Sequence, residues 1–300
     1  SAKLKNDDSI DMGAGDDYVS VMLSGSAGTP ALGSANITKL DGGTGTDTLS
    51  FEETVPAANT TLTLTTANAT NFENLNGGAN AETLNGDGND NVLDGKGGAD
   101  TLNGNGGNDT LIAGSFSDTA NDNLYGGAGN DSLTGTDGDN ILDGGTGADT
   151  ITSRGGNDTI VVRSGDGGSS ISDADTITDF SDGTDSFGLD SLAFSDLTID
   201  EVSGNAVIKE GSDFLMTVNG VAASNITLLD FQAASTSNDT YAGTSGNDTL
   251  VGGSGNNTFN GSAGSDTLFG WGGNDTFNIR SKTGAYTDVI NGGAGTDTLN

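Results

Sequence analysis

Through two long stretches of this chain an acidic residue recurs about every nine positions, and two places after each stands a large apolar one. That register limits the possible folds more than any other feature. The pattern G-G-x-G-x-D-x-U-x, with U apolar, is met in full by residues 126–134 (GGAGNDSLT) and 144–152 (GGTGADTIT). Aligned on its aspartate, the central stretch runs Asp90, Asp100, Asp109, Asp122, Asp131, Asn140, Asp149 and Asp158, in steps of 10, 9, 13, 9, 9, 9 and 9. A second stretch runs Asp248, Asn257, Asp266, Asp275, Asp288 and Asp297, in steps of 9, 9, 9, 13 and 9. The apolar positions are Val92, Leu102, Leu111, Leu124, Leu133, Leu142, Ile151 and Ile160, then Leu250, Phe259, Leu268, Phe277, Ile290 and Leu299. All are expected to point inward. A fixed short period signals a repeat architecture.

The unit has a mechanical reading. Three residues such as Ser132-Leu133-Thr134 can place one side chain inward and its neighbours outward, as a very short strand. The preceding six are glycine-rich, which suits a tight turn with positive φ. Two units make a coil, and coils stack in parallel at about 4.8 Å. The sequence therefore predicts an all-β, flattened β-solenoid. Stacking brings turn aspartates one coil apart together: Asp109 with Asp131, Asp131 with Asp149, Asp248 with Asp266. Two carboxylates about 5 Å apart repel by under about 1 kcal/mol in water and by a few at a protein surface. A cation is required. Carboxylates and turn carbonyls, in a chain with no His or Cys, form a hard oxygen set that selects Ca²⁺ over transition metals.

Composition agrees. Leu, Ile, Val and Phe supply only 60 of 300 residues, 51 are Gly, and the net charge is −34, with 37 Asp among 43 acidic residues. So few bulky residues at so high a charge border on disorder, and the chain is expected to be unfolded without Ca²⁺. No basic stripe exists for nucleic acid. The lack of His and Cys excludes Ser-His-Asp chemistry, H-E-x-x-H zinc sites and disulfides. No apolar run reaches the roughly 18 residues of a membrane span, and residues 1–8 do not read as a secretory signal. An EF-hand from Asp137 fails, because its twelfth position is Ala148. The G-x-G strings open no helix of a βαβ unit. The sequons at Asn108, Asn130 and Asn157 follow from the repeat consensus.

These units resemble the RTX, or hemolysin-type, calcium-binding repeats of bacterial proteins. The resemblance implies a right-handed parallel β-roll over residues 86–161 and 243–300, with Ca²⁺ held between turns on adjacent coils. The metal ligands expected on it are Asp47, Asp90, Asp100, Asp109, Asp122, Asp131, Asp149, Asp158, Asp248, Asp266, Asp275, Asp288 and Asp297. The turn glycines Gly126, Gly127, Gly129, Gly144, Gly145, Gly147, Gly252, Gly253 and Gly255 join them. Departures are expected to weaken sites: Asn140 and Asn257 in the aspartate slot, Lys96, Asn105 and Arg154 at the second glycine, and an interruption at Ser115 to Ala120.

Residues 1–76 read as a degenerate version with loop insertions, containing the full match 42–50, the partial match 12–20, and a strand from Thr60 to Thr66; Glu82 fills the aspartate slot at 77–85. Residues 77–161 read as a β-roll and 235–300 as a second one continuing beyond the chain. Between them, residues 162–234 read as a β-rich internal cap. There Asp175 to Phe180 and Gly183 to Leu189 resemble the segment that closes RTX rolls, and Phe180, Phe187, Leu189, Leu192, Phe194, Leu197 and Ile199 are bulky enough to cover a solenoid end. Residues 205–218 and 226–231 are expected to form antiparallel strands.

The functional expectation is a non-enzymatic, calcium-binding structural protein of the bacterial cell surface, of the S-layer, filament or adhesin kind. Its expected partners are calcium ions, further copies of itself, and cell-surface components such as polysaccharide. The resemblance implies type I secretion from a Gram-negative bacterium, with a signal beyond Asn300. The alternative is the calcium-dependent module of a larger secreted hydrolase, lyase or toxin.

Overall fold

The computed structural model describes residues 8–23, 37–53, 60–63, 69–233, 238–279 and 286–300. The chain divides into two compact units, residues 1–158 with 172–180, and residues 159–171 with 181–300.

In the first unit, most parallel strands stack into two ladders, and Asp8–Asp11, Ile37–Asp41 and Ala69–Thr70 form a separate three-stranded sheet. One ladder contains Thr60–Thr63, Glu82–Asn85, Thr101–Gly106, Asn123–Ala128 and Ile141–Thr146. The other runs from Tyr18–Leu23 and Thr48–Glu53 through Asn74–Asn76, Val92–Asp94, Thr110–Ile112, Ser132–Thr134 and Thr150–Thr152 to Asp175–Ile177. Register is set by the apolar position. Leu84, Leu102, Leu124 and Leu142 pair in one column and Leu93, Leu111, Leu133, Ile151 and Ile177 in the other. All are buried. The all-β solenoid is as the sequence implies.

One step of the register is corrected. Val92 is 37% exposed, whereas Leu93 is fully buried and pairs with Leu111. The strand is one residue later than expected, because placing Leu93 inward aligns it with the leucine column, and a one-residue slip exchanges the two faces. The strand expected at Thr60 to Thr66 is present at Thr60–Thr63. Its remainder, the insertions in residues 24–36 and 54–59, and residues 1–7 lie outside the described residues.

In the second unit, Thr159–Arg163, Ser186–Asp190 and Phe231–Ala233 pair in parallel. Leu197–Val202, Asn205–Glu210 and Asp213–Val218 form an antiparallel meander. Phe231 packs between Phe187 and Phe194, at centroid distances of 5.2 and 5.0 Å. The antiparallel expectation holds for 205–218 but not for 226–231. Leu228–Asp230 is a 3₁₀ turn capped by Thr227, and the strand that follows runs parallel. Beyond it the nonapeptide array resumes, with Thr240–Ala242, Thr258–Asn260, Thr276–Phe277 and Thr298–Leu299 in one ladder and Thr249–Val251, Thr267–Phe269 and Val289–Asn291 in the other. Phe259 stacks on Phe277 at 4.9 Å, over Leu268. Leu299, expected inward, is 64% exposed. Among the described residues no helix is long and apolar enough to cross a membrane.

Candidate metal sites

The turn glycines serve two purposes. In many turns the second and fourth residues take positive φ, as at Gly127 (112°), Gly129 (137°), Gly145 (95°) and Gly147 (134°), whereas those of the Asn140, Asp248 and Asn257 turns do not; the region is costly for side-chain-bearing residues. The first is needed for space. A Cβ on Gly126 would strike both the Asp131 carboxylate and the Gly144 carbonyl, and one on Gly104 would strike Asp109 and the Gly126 carbonyl. The bare Cα of each such glycine therefore admits the carboxylate of its own turn and a carbonyl of the next coil.

Adjacent coils are joined through the aspartates. The N–H of Asp109 donates to Asp131 Oδ1 at 2.7 Å, Asp131 to Asp149 at 2.7 Å and Asp149 to Asp175 at 2.9 Å. The same link joins Glu82 to Asp100, Asp100 to Asp122, Asn140 to Asp158 and Asp17 to Asp47. In the second array it joins Asp248 to Asp266, Asp266 to Asp288, Asn257 to Asp275 and Asp275 to Asp297. The expected neighbours Asp109 and Asp131, Asp131 and Asp149, and Asp248 and Asp266 are thus brought together.

The other side-chain atom meets one of three environments. In Asp47, Asp100, Asp109, Asp131, Asp149 and Asp275 the second oxygen, Oδ2, is buried without a hydrogen-bond partner. In a second group a donor satisfies it. Thr244 N–H reaches Asp248 Oδ2 at 2.7 Å, Thr136 Oγ1 reaches Asp122 Oδ2 at 3.0 Å, and Gly78 N–H reaches Glu82 at 3.0 Å. In the third, asparagine replaces aspartate. Asn140 Nδ2 donates to the carbonyls of Thr136 and Gly138 at 3.2 and 2.8 Å, and Asn257 Nδ2 to those of Gly253 and Gly255 at 3.2 and 2.8 Å. Gly253 and Gly255, expected as ligands, are thus engaged by an amide.

A buried carboxylate oxygen with no donor favours its protonated form. Burial pushes Asp100 up to about 9, helped by the charges of Glu82, Asp122 and Asp118 and opposed by the Glu82 N–H. It likewise raises Asp109 to about 7 and Asp149 to about 6. Asp122, Asp131 and Asp275 are also raised, chiefly by burial. These oxygens need a proton or a cation. Among the described residues no three acidic side chains converge on one point, so turn carbonyls must complete any site. Paired oxygens of that kind fit Ca²⁺.

Asp90 belongs elsewhere. The corrected register puts Asn91 in the aspartate slot, where its N–H donates to Asp109 Oδ1, while Asp90 accepts from Asn108 N–H on an exposed ladder one position earlier. That ladder, continued by Asn130 N–H to Asn108 and Ala148 N–H to Asn130, went unread. Its signal was the recurring Asn before the aspartate. Asp118, inside the interruption, was also missed; its Oδ2 accepts Gly98 N–H at 3.2 Å. The second-glycine departures keep the turn. Lys96, Asn105 and Arg154 all hold positive φ, at 73°, 76° and 70°. Arg154 also lies 3.7 Å over the Phe116 ring and donates to Gly114 O at 3.3 Å, tying one departure to the other.

The family model for the RTX calcium-binding nonapeptide repeat, in four copies, matches residues 85–120, 118–151, 134–167, 235–277 and 282–300. No curated protein matches the chain. The matched segments coincide with stacked turns whose buried aspartate oxygens call for a cation, and over those residues the chain carries RTX calcium-binding repeats.

Proposed function

We propose that this protein is a calcium-stabilised structural element of the bacterial cell exterior, of the S-layer, filament or adhesin kind, exported unfolded and folded on meeting Ca²⁺. The observation that carries the reading is the set of buried, unpartnered aspartate oxygens at Asp100 in one ladder of turns and at Asp109, Asp131 and Asp149 in the other. Those oxygens, with Asp47 and Asp275 and the turn carbonyls around Gly126, Gly127, Gly129, Gly144, Gly145 and Gly147, would hold the ions. Bound Ca²⁺ would supply the positive charge and the oxygen-rich coordination that the turns lack.

The chain's own residues do the rest. Glycine lets carbonyls and carboxylates of adjacent coils approach, Oδ1 fixes the coil spacing, and the leucine columns exclude water from the interior. Supporting a scaffold, the inward positions are filled by Leu, Ile and Phe, and the turn carboxylates accept backbone N–H groups of the neighbouring coil. At the extracellular calcium affinities of about 10⁻⁴ to 10⁻³ M, the cytosol would leave the chain open for type I export from a Gram-negative cell. Within this reading, residues 77–161 and 235–300 are the calcium-binding rolls, residues 162–234 an internal cap, and surplus surface carboxylates bridge to further copies or to polysaccharide.

Two measurements test it. Far-ultraviolet circular dichroism should change from disordered to β-rich as Ca²⁺ is added to the stripped chain, and EGTA should release the protein from intact cells. A β-rich spectrum indifferent to chelator would overturn calcium-dependent folding. Retention on the cells, or cleavage of polysaccharide or ester by the purified chain, would favour a module of a secreted enzyme.

A further inference from the structure

Asn140 and Asn257 lie in different arrays, yet their side chains are held alike. Asn140 Oδ1 accepts Asp122 N–H at 3.1 Å and Asn257 Oδ1 accepts Asp239 N–H at 3.0 Å, the role that Oδ1 has in Asp109, Asp131 and Asp149. This fixes the amide's orientation, since a flipped side chain would set N–H against N–H. Nδ2 is thereby placed where aspartate carries Oδ2. It donates to the carbonyls of the second and fourth turn residues, Thr136 and Gly138 in one turn and Gly253 and Gly255 in the other. In the turn of Asp131 the same place is taken by Oδ2, buried and without a partner.

The two arrangements are complementary. Where the atom is an oxygen, it and the carbonyls are all acceptors, and only a positive charge reconciles them. Where it is an amide nitrogen, its two hydrogens already do so. We propose that the Asn140 and Asn257 turns are metal-free rungs in which the side-chain amide replaces the cation, so that asparagine at this position removes a turn from the Ca²⁺-binding set. The inference rests on the calcium-binding reading above. Asn91 is outside it, because its Oδ1 instead accepts the Asp87 N–H at 2.8 Å. The metal-free rungs hold their turns closed at any calcium level. An array carrying them retains preformed turns onto which calcium-dependent coils can stack. Both are also latent sites. Asn140 Nδ2 lies 3.1 Å from Asp158 Oδ1, so a carboxylate there would add to a negative cluster already present.

The test counts calcium ions per chain, by metal analysis and isothermal titration calorimetry, on the full chain and on N140D, N257D and D131N. N140D and N257D should each bind one ion more than the parent, and D131N fewer. Should one Asn variant fail to fold, the other, in the separate array, decides. An unchanged ion count in N140D and N257D, with the parent binding Ca²⁺ and D131N losing it, overturns this proposal alone. A parent chain that binds no Ca²⁺ overturns the calcium-binding reading and this proposal with it.

Discussion

The backbone N–H of Asp109 donates to Oδ1 of Asp131 at 2.7 Å, across 22 residues of sequence. One carboxylate therefore has two tasks. Its first oxygen spaces the coils, and its second, buried and without a donor, awaits a cation. Replacements at such a position separate the two.

Asp131→Ala removes both oxygens and leaves the buried Asp109 N–H without an acceptor, which costs about 1–3 kcal/mol. Asp131→Asn keeps that acceptor. In calcium titrations followed by circular dichroism, the alanine variant should have the higher midpoint of the two. Equal midpoints would show that the inter-coil hydrogen bond carries no weight.

The metal-stripped chain should be stabilised by acid. The carboxyls of Asp100, Asp109 and Asp149 are raised on folding from 3.8 to about 9, 7 and 6, so the folded state binds more protons than the unfolded. The stability they contribute is present below pH 4 and is lost as pH rises through about 6 to 9. With Ca²⁺ present, protons compete for the same oxygens, and the calcium midpoint should rise as pH falls. Circular dichroism of the stripped chain from pH 4 to 9 checks this; β-structure that grows with pH would contradict it.

The strand register is tested by a pair of substitutions. Leu133 is fully buried, and Leu133→Ala should cost about 2–5 kcal/mol. Val92, 37% exposed, should tolerate alanine within about 0.5 kcal/mol. Urea denaturation in saturating Ca²⁺ compares them. A large loss at Val92 would restore the register in which that residue points inward.

Arg154 combines a disfavoured φ of 70° with a contact to Phe116 and a hydrogen bond to Gly114 O. Arg154→Ala loses both contacts and keeps the disfavoured backbone, at a cost of about 1–2 kcal/mol. Arg154→Gly loses the same contacts but relieves about 1 kcal/mol of backbone cost, and should lie close to the parent. Thermal unfolding in Ca²⁺ ranks the three, and a glycine variant weaker than the alanine one would refute the account.

Periodicity made most of the scaffold legible. A nine-residue spacing of Leu and Ile dictates which side chains enter the core, and it needs no tertiary information because each strand is only three residues or so long. It failed at Val92-Leu93, where two adjacent apolar residues both fit the local pattern and only pairing with Leu111 chose between them. It failed again at 226–231, where alternation matched a strand, but the Asp230 carboxyl accepts the Thr227 N–H and closes a 3₁₀ turn.

The sequence by itself determined that this chain stacks glycine turns and carries the acidic oxygens that call for calcium, because spacing and charge are properties of composition and order. Tertiary structure decided which oxygens are left without a donor. Asp122 and Asp131 occupy the same slot of the repeat, yet the hydroxyl of Thr136, from the neighbouring coil, satisfies one, while the other is buried with no donor in reach. That difference arises from atoms that meet only when coils stack, and no single repeat contains it.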